Sequence, residues 1–267
     1  MLELLLRYQK PALAIAMLSV CTLSQSVLAA PSAAEAGLAI AKQNDAANQG
    51  FGTERSLMEM TLINAHGDVT TRRMLSEVLE GTEEGDKSLV IFEWPADVNG
   101  TKMLTHSKKD GDDQQWLFLP AIKRVKRISS RNKSGSFMGS EFSYEDLGSQ
   151  EIEKYTYELI GDATYEGRSV WHMIRIPKDK RSGYTKQVVW VDKEYHAPLK
   201  LDYYDRKGEL LKISHFKGYQ QYGKLWRIGA IHMKNVQTQK QSTITWKERK
   251  VGIELDTDMF DSSLLAD

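Results

Sequence analysis

The sequence predicts a mainly β fold: a single antiparallel, curved sheet of about eleven strands, with helices covering its inner face. Three observations predict it. From Thr53 onward, extended segments of about eight to twelve residues are separated by turn signals. Some of these alternate apolar and polar residues, as in Met58-Glu59-Met60-Thr61-Leu62 and Gln187-Val188-Val189-Trp190-Val191-Asp192. Others, such as Ser88-Leu89-Val90-Ile91-Phe92-Glu93-Trp94, carry large apolar groups on both faces. A one-layer curved sheet explains that mixture, because one face meets a helical cover and the other is only partly wet.

The chain opens with Arg7 and Lys10 ahead of Ala12-Leu13-Ala14-Ile15-Ala16-Met17-Leu18, and small residues follow near Val27-Leu28-Ala29. This is the layout of a Sec signal peptide over residues 1–29, with cleavage after Ala29 or Ala30 and one domain over 30–267. The apolar run falls short of the ~20 residues a spanning helix needs, and Ser24, Gln25 and Ser26 interrupt it. Cys21 is the one cysteine and lies in this leader, so the mature chain is expected to lack thiol chemistry. Lipidation of Cys21 would need a small residue before it, and Val20 stands there.

Ala33 to Asn48 is alanine-rich and free of proline, with Leu38, Ala41 and Asp45 at helical spacings. It reads as one helix ended by Gly50 and Gly52. Strands are expected over Ser56 to Asn64, Val69 to Glu80, Ser88 to Trp94, Gln115 to Leu119, Tyr155 to Ile160, Val170 to Ile176, Gln187 to Asp192, Leu199 to Asp205, Leu210 to Phe216, Trp226 to Met233 and Thr243 to Lys247. Turns fall at Ala65 to Asp68, Gly81 to Asp86, Lys109 to Asp112, Glu166-Gly167, Lys207-Gly208 and Tyr222-Gly223. Ser129 to Ser140 is irregular and rich in Ser and Gly; after it, Ser143 and Asp146 have the spacing of a capping box or of a plain turn.

Basic and acidic residues balance at a formal net charge of zero, which gives no reason to expect nucleic acid. Lys123, Arg124, Lys126, Arg127, Arg131 and Lys133 form the sharpest charge cluster. Alternation around Val125 and Ile128 is expected to set several cations on one strand face, either as a solvated hairpin or as a dock for lipid phosphates or an acidic partner. The six histidines lack close metal spacing and there is no G-x-S-x-G elbow, so no metal, cofactor or catalytic residue is expected. Glu141, Glu145 and Asp146 are paired carboxylates of the kind a glycosidase uses, but their closeness beside a cap favours a structural role.

Large flexible and aromatic side chains gather in the first half of the expected mature chain: Met58, Met60, Met74, Phe92, Trp94, Met103, Trp116, Phe118, Phe137, Met138, Phe142 and Tyr144. Taken singly, each suits a packed core as well as a ligand cavity.

Trp116-Leu117-Phe118-Leu119-Pro120, then Arg124-Val125-Lys126-Arg127-Ile128, then Phe137-Met138-Gly139-Ser140-Glu141-Phe142-Ser143-Tyr144-Glu145-Asp146-Leu147 form one block. This block resembles the outer-membrane lipoprotein-sorting (LolA-like) family, in particular its larger members associated with exporters of the MMPL/RND class. Phe118 stands where Tyr is common there, and Glu141 where Asp is. Upstream, Phe92-Glu93-Trp94-Pro95-Ala96-Asp97-Val98-Asn99-Gly100-Thr101 is similar to another family segment.

The resemblance implies an incomplete β-barrel closed by helices over an apolar cavity, acting as a monomeric periplasmic carrier of lipid or lipoprotein acyl chains toward the outer membrane. On that reading the Met and aromatic group lines the cavity, the N-terminal helix and the Phe137 to Leu147 segment form its lid, and Lys123, Arg124, Lys126, Arg127 and Arg131 dock a head group or an inner-membrane RND/MMPL exporter. Sheltering a sixteen-carbon chain represents on the order of ten kcal/mol, which requires a large apolar site. The smaller carriers latch their lid with an arginine; strand order leaves Arg72 or Arg73 for that role. A non-transporting exporter adaptor and a glycan-active enzyme are the alternatives.

Overall fold

Helix α1 spans Ala33–Asn48, the range expected. Ser32 caps it: its hydroxyl accepts from the Glu35 amide, and the Glu35 carboxylate accepts from the Ser32 amide at 2.8 Å. Gly50 and Gly52 have φ of 86° and 66°, a left-handed backbone that turns the chain out of the helix into the sheet. The computed structural model describes residues 30–266 apart from Thr82, so the leader with Cys21 lies outside the described residues.

Fifteen strands follow among the described residues: β1 (Thr53–Ile63), β2 (Val69–Leu79), β3 (Lys87–Trp94), β4 (Lys102–His106), β5 (Gln114–Leu119), β6 (Arg124–Ile128), β7 (Tyr155–Tyr165), β8 (Arg168–Pro177), β9 (Lys186–Asp192), β10 (Ala197–Tyr204), β11 (Leu210–Lys217), β12 (Gln220–Tyr222), β13 (Leu225–Arg227), β14 (Ala230–Asn235) and β15 (Gln241–Val251). Thirteen form one antiparallel sheet in the order β6-β5-β4-β3-β2-β1-β15-β14-β11-β10-β9-β8-β7, and β12 and β13 form a separate ribbon. The expectation of about eleven strands therefore undercounts. The short strands β4 and β6 and the ribbon strand β12 lay outside the eleven expected segments. The single strand expected over Trp226 to Met233 is broken where Gly229 passes close to the Gly218 backbone.

Consecutive hairpins build β1 to β6 outward in one direction and β7 to β11 inward from the other, and β15 joins the halves by pairing with both β1 and β14. A flat sheet of this width would hold its edges about 55–60 Å apart. Instead, Arg181, after β8, meets Asp112, before β5, at 2.6 Å, and Lys133, after β6, meets Asp179 at 2.5 Å. Lys154, just before β7, pairs with Asp113. The sheet must bend for its two ends to touch, yet β6 and β7 do not pair, so it stays open.

The period-two alternation of the strands divides two apolar layers. On the inner face Met60, Met74, Phe92, Met103, Leu117, Ile128, Met173, Val189, Leu201, Met233 and Ile244 join Ile40 of α1 and Phe137 and Phe142 in one buried cluster. On the outer face Leu89, Leu104 and Phe118 are covered by Phe260 and Leu265 of the C-terminal segment.

Candidate functional site

Two coverings lie on the inner face, and they differ in how they are held. The first is the segment from Ser136 to Leu147. Phe137 and Phe142 are almost fully buried, Phe137 packs against Phe92 with ring centroids 5.8 Å apart, and the Ser136–Ser143 bridge closes the loop between them. Strands on every side then bind its polar groups. The Arg72 guanidinium on β2 donates to the Met138 carbonyl at 2.6 Å and lies 5.9 Å from the Phe92 ring centroid. Gln115 on β5 donates to the Tyr144 carbonyl, and Ser242 on β15 accepts from the Glu141 amide.

From β11, the ammonium of Lys212, only 3% exposed, donates to the Glu141 carbonyl at 2.9 Å and to Asp146 Oδ2 at 2.7 Å, with the Tyr184 and Tyr203 rings each 5.1 Å away. Asp146 also accepts from the Ser143 amide and hydroxyl and from the Tyr184 hydroxyl. A buried pair needs this many further bonds, because the attraction alone does not offset desolvation of both ions.

The three acidic residues of this segment are thus engaged in holding it. Glu141 accepts from the Asn235 amide group at 2.8 Å, and Glu145 accepts from Ser182 and from the Gly183 amide. Burial raises the Glu145 carboxyl above its ordinary pKa, while those two bonds act in the other direction. The Ser143–Asp146 cap read from spacing is present, closing a single turn over Tyr144–Asp146.

The second covering is α1, and its grip is lighter. Gly37 and Ile40 are its only buried residues, while Leu38 is exposed. Gly37 sits directly on β7: a Cβ there would lie 2.9 Å from the Glu158 backbone nitrogen. Asn48 donates to the His196 carbonyl at 3.0 Å and tethers the far end. Between α1 and strands β7 to β10 runs a cleft of about 270 Å³, walled by Tyr157, Met173, Val189, Val191, Ala197 and Pro198 and roofed by Ala41 and Asn44. Arg175 also lines it, its guanidinium 4.9 Å from the Tyr155 ring centroid. Burial is the leading influence on Asp45 at its rim, raising that carboxyl above its ordinary pKa.

Nine of the twelve side chains proposed from sequence as cavity lining gather on the inner face: Met58, Met60, Met74, Phe92, Met103, Phe137 and Phe142 are buried in the cluster, and Met138 and Tyr144 pack against it. They pack on one another beneath the Ser136–Leu147 segment, and none of them lines the cleft under α1. The other three lie elsewhere. Trp116 and Phe118 flank the inward Leu117 and so face outward, where they pack with the C-terminal cover. Trp94 is 44% exposed, under the Arg73 guanidinium. The cleft residues Met173, Val189 and Val191 were missed because aromatic and Met content singled out the stretch from Met58 to Tyr144; the alternation of Gln187 to Asp192 was the available signal.

The basic cluster is not gathered on one face. Lys126 pairs with the inward Leu117 and Arg124 with Leu119, while Arg127 pairs with the outward Trp116 and lies 5.9 Å from its ring. Alternation along β6 separates them. Lys123 and Arg131 are exposed beyond its two ends. Among the described residues no cluster of His, Cys, Asp and Glu suits a metal ion, and no helix is long and apolar enough to cross a membrane.

A family model described only as an uncharacterized protein matches residues 84–267. Among solved structures, the chain is similar to a domain from Vibrio parahaemolyticus described as an outer membrane lipoprotein-sorting protein. The two are 49% identical, with a TM-score of 0.86 over 88% of this chain and 100% of that one. It is also similar to a DUF1329 family protein from Desulfovibrio piger, with 30% identity and a TM-score of 0.84 over 88% of this chain and 100% of that one. A LolA superfamily protein from Nitrosomonas europaea shares the fold, at 18% identity and a TM-score of 0.68 over 88% and 99% of the two chains. No curated protein matches the sequence. The length and identity of the first two matches, on the sheet and coverings described above, place the chain in the outer-membrane lipoprotein-sorting, LolA-like family.

Proposed function

We propose that this protein is a periplasmic carrier that holds the acyl chains of a lipid or lipoprotein and passes them toward the outer membrane, working with an inner-membrane exporter of the RND/MMPL class. The observation that carries the reading is the cleft beneath α1: an apolar wall on β7 to β10 under a helix that buries only Gly37 and Ile40. At about 270 Å³ it is just below the usual range for a small-molecule site, so a full acyl chain would enter only as the helix lifts. Few buried apolar contacts make such lifting inexpensive. Arg175 is the cation within reach of a phosphate or carboxylate head group.

The Ser136–Leu147 segment has a different part in this reading. It is a fixed covering, held by Arg72, Gln115, Lys212 and Ser242 from four strands, and α1 is the moving one. Strand order left Arg72 or Arg73 as the arginine that latches a lid in the smaller carriers. The bond from Arg72 to Met138 supports Arg72, used here as a permanent clasp.

Native mass spectrometry of the purified protein tests the proposal. Co-purifying lipid is expected, and Val189→Trp, which fills the cleft from its wall, should remove it while the fold persists. A chain that is empty under gentle purification and takes up no fluorescent fatty acid would contradict carriage, and an empty chain that still bound an exporter would favour the adaptor role.

A further inference from the structure

We infer that β6 is a docking edge for an extended acidic peptide segment, which adds to the sheet as a further strand. β6 terminates the thirteen-stranded sheet and, among the described residues, pairs only with β5. Its outward row of backbone N–H and C=O groups is therefore available to another strand. Arg124, Val125, Lys126 and Arg127 are all exposed, as is Ile122 at 60% just before them, so among the described residues nothing covers this edge.

Charge selects the occupant. Elsewhere in the chain Arg168, Arg181, Arg227 and Arg249 each meet a carboxylate. Among the described residues no such ion pair reaches Lys123, Arg124, Lys126, Arg127 or Arg131. Cations on an edge repel another basic edge, including that of a second copy, which protects the sheet from self-pairing. An acidic strand turns the same residues into a recognition element.

The distribution of the cations decides between a strand and a lipid surface. Arg124 and Lys126 lie on the inner side and Arg127 on the outer side, so a plane touching one side leaves the other unmatched. A strand laid alongside β6 projects its own side chains alternately to both sides and meets both rows. The Ile128 end of β6 opens on a cleft of about 450 Å³ at the gap between the sheet's two ends.

The test is fluorescence anisotropy with the folded chain and a labelled peptide alternating Glu with Val and Thr, alongside its backbone N-methylated counterpart of equal charge. The acidic peptide should bind at low salt and weaken as salt rises. N-methylation should weaken it about tenfold or more by removing ladder hydrogen bonds, and Lys126→Glu/Arg127→Glu should do the same by reversing charge. Both positions are exposed, and circular dichroism checks that the variant folds. Equal binding of the two peptides would overturn strand addition, as would no binding at low salt, or binding of phosphatidylglycerol vesicles by a chain that ignores the peptide.

Discussion

Arg72 Nη1 lies 2.6 Å from the carbonyl oxygen of Met138, so one guanidinium on β2 fastens a loop 66 residues further along the chain. The same guanidinium stands over Phe92, itself packed on Phe137, and thus holds both the backbone and the aromatic contents of the segment. Arg72→Leu keeps the apolar stem and removes the donor. A hydrogen bond from a charged group is worth about 1.5–3 kcal/mol, and urea unfolding of the variant should show a loss of that size. An unchanged midpoint would mean that the bond adds nothing.

Lys212 and Asp146 form a buried pair that fastens the same segment. Lys212→Met leaves Asp146 without its cation, and removing one partner of a buried pair typically costs about 3–5 kcal/mol. Combining it with Asp146→Asn removes the stranded charge and should recover part of that loss. Denaturation of the two single variants and the double variant measures the coupling.

Asp86 gives a pH dependence of defined sign. Burial pushes its carboxyl up to about 6, against the hydrogen bond it accepts from the Gly81 amide. A raised carboxyl binds more protons folded than unfolded, so its contribution favours the fold at low pH and is lost as pH rises from about 4 through about 6. Asp86→Asn keeps an acceptor for Gly81 and never ionises. It should stabilise the protein by about 1–2 kcal/mol at pH 7.5 and by nothing at pH 4, compared in urea titrations at the two values.

Gly37 reports on the cover. In an exposed helix Gly→Ala stabilises by about 1 kcal/mol, but here the added methyl would press on the β7 backbone at Glu158 and Leu159. Gly37→Ala should therefore speed amide hydrogen exchange across α1 by about tenfold while leaving β1 and β2 protected. Slower exchange would show that the helix accommodates the methyl without lifting.

Much of this architecture is legible in the sequence because it is local. The bounds of α1 follow from Ser32, the alanine-rich run and the two glycines, and most strands follow from alternation between turns. The Ser136–Leu147 segment stands out by its motif. Its fastening does not, since Arg72, Gln115, Lys212 and Ser242 arrive from distant strands and become neighbours only when the sheet bends. The outward placement of Trp116 and Phe118 was within reach, because two residues flanking an inward Leu117 must face away from it. The cleft was hidden for a different reason: Val189 and Val191 are ordinary strand residues, and only the helix laid across them makes a site.

The most direct measurement is photo-crosslinking with a fatty acid carrying a diazirine at its methyl end, followed by peptide mapping. Carriage beneath α1 is expected to place the crosslinks on Tyr157, Met173, Val189 and Val191, with their yield falling in Val189→Trp. Crosslinks confined to the outer face near Trp116 and Phe260, or none above background, would contradict it.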